Sequence, residues 1–220
     1  MPVIRALLWD LDGVIVNSGH YHYLAYRDVL SPLGVELSEE MYTTRLFGKR
    51  NEDILRELLG DQVSEEELAH IAARKEEKFR ELVRGNIHAL PGAEALLRGA
   101  CEGGLKQCIV SSTPRANVQM ILESLGVGEL LDVIVGEEDV SRGKPDPQGF
   151  LRGAEQLGVA PAECVVLEDA PEGIAAGKAA AMSCIGVATT RSPERLEEAD
   201  LVADSLEDDR VREFVFGCEP

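Results

Sequence analysis

Val3-Ile4-Arg5-Ala6-Leu7-Leu8-Trp9-Asp10-Leu11-Asp12-Gly13 is an apolar run, interrupted once by Arg5, that halts on a pair of aspartates. From Val3 to Trp9 it is too short for a typical helix and lacks the alternation of a half-exposed strand. It reads as a buried parallel strand. Similar runs recur later: Gln107–Val110 ending at Ser111, Cys164–Leu167 ending at Glu168, and Cys184–Val187, with Asp132–Val135 a weaker fifth. Helical patterns lie between them, at Gly92–Cys101, Pro114–Leu125, Pro147–Leu157 and Pro171–Ala180. Prolines stand at or near their starts, and Gly126 and Gly158 stand just past two of the ends, the expected punctuation of helices. Strands alternating with helices of this length predict an α/β fold with a parallel sheet covered on both faces.

The stretch from about Ser18 to Gly85 breaks this rhythm. It offers no strand, and its apolar spacing predicts four helices, His20–Leu33, Ser38–Arg45, Asn51–Leu59 and Ser64–Val83. Ser38 and Ser64 have the character of N-caps, each followed by glutamate in the first turn. The block is expected to be a helical insertion after the first strand. Beyond about Ser192 the pattern is uninformative.

Composition narrows the function. Of the 220 residues 45% are hydrophobic and only 5% aromatic, enough for an aliphatic core. The net charge of -18 repels phosphate backbones and anionic lipid, so neither nucleic acid nor a membrane is an expected partner. No apolar run reaches the ~18 residues of a membrane span. Five cysteines (Cys101, Cys108, Cys164, Cys184, Cys218) without a CxxC pair read as reduced thiols in a cytoplasmic protein. An anionic small substrate would then need a local positive trap.

Polar residues end several of the strands, and in an open α/β sheet ligands bind at those carboxyl ends. Asp10 and Asp12 follow the first strand, Ser111 the second, Glu168 and Asp169 a third. Lys144 lies in the proline-flanked loop Gly143-Lys144-Pro145-Asp146-Pro147. Carboxylates converging on one rim need a cation, and an all-oxygen set suggests Mg²⁺. Asp10 has the chemistry of a carboxylate nucleophile, and Asp12 that of a general acid and base. Ser111 and Lys144 would hold phosphoryl oxygens. Ser112 and Thr113 are candidates for substrate contact and equally for capping the helix after Pro114.

Asp10-Leu11-Asp12-Gly13-Val14, Ser111, Gly143-Lys144-Pro145-Asp146-Pro147 and Leu167-Glu168-Asp169-Ala170-Pro171-Glu172-Gly173 together resemble the four motifs of the haloacid dehalogenase superfamily, in the family's order. A lone DxD recurs by chance in any acidic chain; the ordered set does not. The insertion is similar to the cap of class I members, the branch of phosphoglycolate phosphatase-like enzymes and β-phosphoglucomutase. The resemblance implies a Rossmann-like core formed by 1–16 and 87–220, with a helical (C1-type) cap at 17–86. It also implies Mg²⁺ held by Asp10, the backbone carbonyl of Asp12, Glu168 and Asp169. The implied activity is a Mg²⁺-dependent phosphatase passing through an aspartyl-phosphate, acting on a small phosphorylated metabolite such as a sugar phosphate. One departure is Asn17, where relatives often carry Asp at the cap hinge.

Three alternatives stand beside that reading. β-Phosphoglucomutase uses the same core. Its cap chemistry draws on a His, an Arg and a Lys; His22 and Lys75 fall at matching places, whereas Asn51 occupies the Arg position. Substrate contact is therefore expected of His22, Lys75 and Asn51, with hydrolysis favoured over mutation. Dehalogenase and phosphonatase chemistries lack the second aspartate, which is present here as Asp12. A receiver-like switch also pairs carboxylates with lysine, but it has no such insertion. Plain structural readings suffice for His20, His70 and His88, for Glu172 as a first-turn helix charge, and for Arg74, Lys78 and Arg80 as a solvated helix face.

Overall fold

The computed structural model describes residues 3–60 and 62–217; Cys218 lies outside the described residues. The chain divides into two compact units, one of residues 1–17 with 88–220 and one of residues 18–87.

The first unit is built on a six-stranded, wholly parallel sheet. Its strands are β1 (Ala6–Trp9), β2 (Lys106–Val110), β3 (Val133–Val135), β4 (Cys164–Glu168), β5 (Ser183–Val187) and β6 (Leu201–Ala203). They lie in the order β3-β2-β1-β4-β5-β6. This is the doubly wound, Rossmann-like arrangement. The chain builds outward from β1 on one side, then returns to β1 and builds outward on the other. β1 is thus flanked by both halves, and its four residues are fully buried.

The alternation of a strand separates the two faces. Ala6 and Leu8 pack with Cys108, Val110, Phe150, Ala154 and Ile174 in one hydrophobic cluster. Trp9 points the other way, where its indole N–H donates to Gln107 Oε1 at 3.1 Å and Gln107 Nε2 donates to the Leu97 carbonyl at 2.9 Å. The first strand is shorter than the apolar run predicts: Val3 is 75% exposed, because pairing begins only where Ala6 meets Lys106 and Cys164.

The second unit holds α1 (Gly19–Leu30), α2 (Glu39–Met41), α3 (Asn51–Leu59) and α4 (Glu65–Val83). Ser64 and Glu67 form the expected capping box, and Ser38 Oγ accepts from the Met41 amide at 3.1 Å. The helix predicted over 38–45 departs from α geometry after Met41 and runs as a π-helix over Tyr42–Leu46. The wider turn lets Tyr42 and Leu46 both reach the cluster of Tyr26, Leu30, Ile54, Leu55 and Leu68.

The remaining helices of the sheet unit are α5 (Ala93–Glu102), α6 (Arg115–Leu125), α7 (Gln148–Leu157), α8 (Pro171–Ala179) and α9 (Asp209–Phe216). β6 and α9 fall in the region the sequence left unread. No described helix is long and apolar enough to cross a membrane.

Candidate active site

Register brings the polar strand ends together. Trp9 is level with Ile109 on one side and Leu167 on the other, so the residues that follow emerge on one rim. Asp10 is pinned there by its amide, which donates to the Leu167 carbonyl at 2.9 Å, and Ser111 by its amide to Val135 O at 3.0 Å. α6 starts just beyond Ser111 and α8 just beyond Asp169, so two helix N-termini add positive potential to the same rim.

Lys144 is the organising cation. Its Nζ donates at 2.5 Å to Asp10 Oδ1, at 2.5 Å to Glu168 Oε1 and at 3.1 Å to the Val110 carbonyl. It also lies 5.2 Å from the centre of the Phe150 ring. Burial opposes its charge, but Asp10 and Glu168 outweigh that and hold the ammonium well above its ordinary value. Both oxygens of Glu168 are engaged: the other accepts from the amides of Asp169 (3.0 Å) and Ala170 (3.2 Å). A Cβ at position 173 would overlap this carboxylate, which accounts for Gly173 at the start of α8.

One lysine does not balance the carboxylates. Burial, together with Glu168, Asp169 and Asp12, pushes Asp10 well above the usual carboxylate range despite Lys144. Burial and Glu168 likewise push Asp169 up to about 7, against Thr190, Lys144 and Arg191. Asp10, Glu168 and Asp169 are all buried, and one oxygen of each lies within 4.8 Å of the others. Hard oxygen donors, clustered and short of positive charge, fit a divalent cation.

Asp12 stands apart from that trio, its Oδ2 accepting from the Thr113 hydroxyl at 3.0 Å. The expectation that Thr113 or Ser112 caps the next helix is not met. Pro114 takes the N-cap position without a side-chain cap bond, the Thr113 hydroxyl is spent on Asp12, and Ser112 is half-buried beside it. Ser111 Oγ accepts from the Thr113 amide at 3.0 Å, which leaves the Ser111 hydroxyl proton to be given elsewhere.

His22, Lys75 and Asn51 do not belong to this group of contacts. They are buried together within the helical unit. Lys75 Nζ lies 2.8 Å from His22 Nδ1 and donates to Glu76 Oε1 at 2.7 Å. Asn51 donates to the same Glu76 oxygen at 2.8 Å and accepts from the Tyr26 hydroxyl at 2.5 Å. The His22 ring stacks on Phe79 with 3.8 Å between centroids. Burial alone would raise the Glu76 carboxyl, but Lys75, His22 and Asn51 more than offset it and hold the group below its ordinary value.

Two residues of the rim escaped the sequence reading. The Thr190 hydroxyl donates to Asp169 Oδ2 and the Thr189 hydroxyl to the Gly13 carbonyl. Both follow the carboxyl end of β5, the place where the other site residues were sought. Glu172 is exposed in the first turn of α8, as expected. Cys101 is exposed and Cys108, Cys164 and Cys184 are buried, all as free thiols. Burial raises Cys164 to about 11 and Cys184 to about 12, so neither is a thiolate nucleophile at neutral pH.

This geometry has relatives. The chain is 36% identical to hexitol phosphatase A of Escherichia coli, with 92% of each covered. It is 33% identical to validoxylamine A 7'-phosphate phosphatase of Streptomyces hygroscopicus subsp. limoneus, over 92% of this chain and 94% of that one. Among solved structures, β-phosphoglucomutase from Clostridium difficile superposes with a TM-score of 0.87 at 31% identity, with 96% of each chain covered. The profile of one hydrolase family matches residues 7–187, from the strand that leads into Asp10 to the end of the strand that leads into Thr189 and Thr190. The match spans the chain from β1 to the end of β5, and the chain belongs to the haloacid dehalogenase-like hydrolases.

Proposed function

We propose that the protein is a divalent-metal-dependent phosphomonoester hydrolase of a small, singly phosphorylated sugar or polyol, working by phosphoryl transfer to Asp10. One observation carries this reading. A lysine bridges two buried carboxylates at the carboxyl ends of neighbouring strands, while a second aspartate, two residues on, is held outside the cluster by a threonine.

Asp10, Glu168 and Asp169, with the Asp12 carbonyl, are the residues that would hold Mg²⁺. A bound cation of this kind draws charge from the phosphoryl oxygens and keeps the surrounding carboxylates ionised. Asp10 attacks phosphorus through its carboxylate while Lys144 fixes that carboxylate's orientation. Lys144 and the Ser111 hydroxyl neutralise the equatorial oxygens, where charge spreads in the transition state. Asp12 gives its proton to the leaving oxygen and then takes one from the water that releases phosphate. Thr113 keeps it aimed for both steps.

The helical unit favours hydrolysis over mutase chemistry. A phosphosugar mutase must hold a second phosphate, and a guanidinium fork is the group suited to that. Asn51 brings no charge, both ends of its amide are engaged, and the Lys75 ammonium is already matched by Glu76. Hexitol phosphatase A and validoxylamine A 7'-phosphate phosphatase, by their names, act on substrates of the proposed class. The free thiols support a cytoplasmic setting.

The test is phosphate release from a panel of sugar and polyol monophosphates. Release over many turnovers, abolished by EDTA and restored by excess Mg²⁺, is expected. Little conversion of β-glucose 1-phosphate to glucose 6-phosphate should be seen, even with a bisphosphate primer. Hydrolysis that ignores EDTA, or efficient mutase turnover, contradicts the reading.

A further inference from the structure

The turn after β5 reaches the rim with two consecutive hydroxyls, and each is committed to a different part of the site. Thr189 donates to the carbonyl of Gly13, in the turn that follows the two aspartates, and Thr190 donates to Oδ2 of Asp169. The two targets touch. Gly13 has φ +94°, and a Cβ there would overlap Asp169 Oδ2 and come within 3.0 Å of Thr190 Cγ2. Asp169 Oδ2 is therefore backed against the Gly13 backbone on one side and bonded to Thr190 on another. That leaves Oδ1 as the oxygen free to meet a cation. Neither hydroxyl caps the next helical turn, Pro193–Leu196, whose N-cap position is Ser192. The bond from Thr190 joins a residue outside the four sequence motifs to the one carboxylate of the trio that has no direct bond to Lys144.

We propose that Thr190 is a positioning residue for the metal site: its hydroxyl fixes the Asp169 carboxylate in the orientation that binds a divalent cation, and Thr189 locks the Gly13 turn against which that carboxylate rests. The inference rests on the reading of Asp10, Glu168 and Asp169 as metal ligands. Hydrogen-bond partners of ligating carboxylates typically account for 10–100-fold in metal affinity. The loss on removing the hydroxyl should fall in that range.

The experiment titrates the full-length, metal-stripped protein with Mn²⁺ alone. Binding is followed by the paramagnetic resonance of free Mn²⁺ and by quenching of Trp9, the single tryptophan, which immediately precedes Asp10. Thr190→Val should weaken Mn²⁺ binding by about tenfold or more, with the protein still folded in EDTA. Thr190→Ser, which keeps the hydroxyl, should stay close to wild type. In turnover, Thr190→Val should need more metal for half-maximal rate yet recover most of kcat at saturating metal. If Thr190→Val does not fold, Thr190→Ala read against Thr190→Ser gives the same comparison. Wild-type affinity in Thr190→Val, or an equal loss in Thr190→Ser, overturns the proposal. Asp169→Asn separates the two levels. If it abolishes Mn²⁺ binding while Thr190→Val does not, only the role of Thr190 fails; if it too leaves binding intact, the metal site itself is wrong.

Discussion

Replacing Lys144 by methionine keeps the apolar stem and deletes the charge that joins Asp10 to Glu168. Both contacts are 2.5 Å, and both carboxylates are buried, Asp10 at 7% and Glu168 at 1% exposure. Removing one partner of a buried ion pair costs about 3–5 kcal/mol, because the charge left behind has lost its compensation. Here two carboxylates are left, so the upper half of that range is expected in EDTA at pH 8. The deficit must depend on pH. Asp10 already sits well above its ordinary value, with Lys144 the main force restraining it, so the substitution raises it further. A carboxyl whose folded value is raised contributes stability below its unfolded value and loses it as pH rises through the folded one. The penalty of Lys144→Met is therefore largest at alkaline pH and shrinks on acidification, as the abandoned carboxyls take up protons. Urea unfolding followed by Trp9 fluorescence reports on the sheet unit alone, since Trp9 is fully buried in β1. A loss no larger than the about 1 kcal/mol of a solvent-exposed pair, or one that grows toward low pH, would refute the reasoning.

Glu76→Gln should destabilise the helical unit by about 3 kcal/mol at pH 7, by leaving Lys75 buried without its counter-charge. Because Glu76 is held below its usual 4.5, its contribution is complete above that value and disappears as pH falls through the lower folded one. Circular-dichroism urea curves for variant and wild type should thus converge in acid, and a constant gap would contradict the assignment. Gly173→Ala should cost about 1–3 kcal/mol by overpacking and displace the Glu168 carboxylate from Lys144. Turnover should fall more steeply than thermal stability, and a variant with wild-type turnover would show that Glu168 tolerates the shift.

The parts of this molecule legible in its sequence are those where one physical signal acts alone. Strands β1, β2, β4 and β5 each carry a short, largely apolar buried core because the sheet is covered on both faces, and the polar residues at or just past the ends of β1, β2 and β4 mark the rim directly. β6 was illegible because Leu201, Val202 and Ala203 are a three-residue edge strand set among acidic residues, too short to show a period. Thr190 was illegible because its importance lies in a bond to Asp169, 21 positions earlier, and nothing local distinguishes it from any turn threonine. Thr113 was misjudged for the opposite reason. A threonine before a helix predicts a cap, but Pro114 takes the cap position and frees the hydroxyl for Asp12. In the helical unit, spacing correctly placed Lys75 on a densely charged helix. It could not show that Lys75 and Glu76, adjacent in sequence, both turn inward to meet His22 and Asn51.

The central claim is that Asp10 carries the phosphoryl group, and it can be tested by catching it there. Asp12→Asn should accept a phosphoryl group from p-nitrophenyl phosphate, whose leaving group needs no acid, but release it slowly for want of a base. Acid quenching after a single mixing with Mg²⁺, followed by peptide mass spectrometry, should find one phosphoryl group on Asp10, and none in Asp10→Asn, which should also be inactive. A phosphoryl group on any other residue, or substantial turnover by Asp10→Asn, would contradict the account.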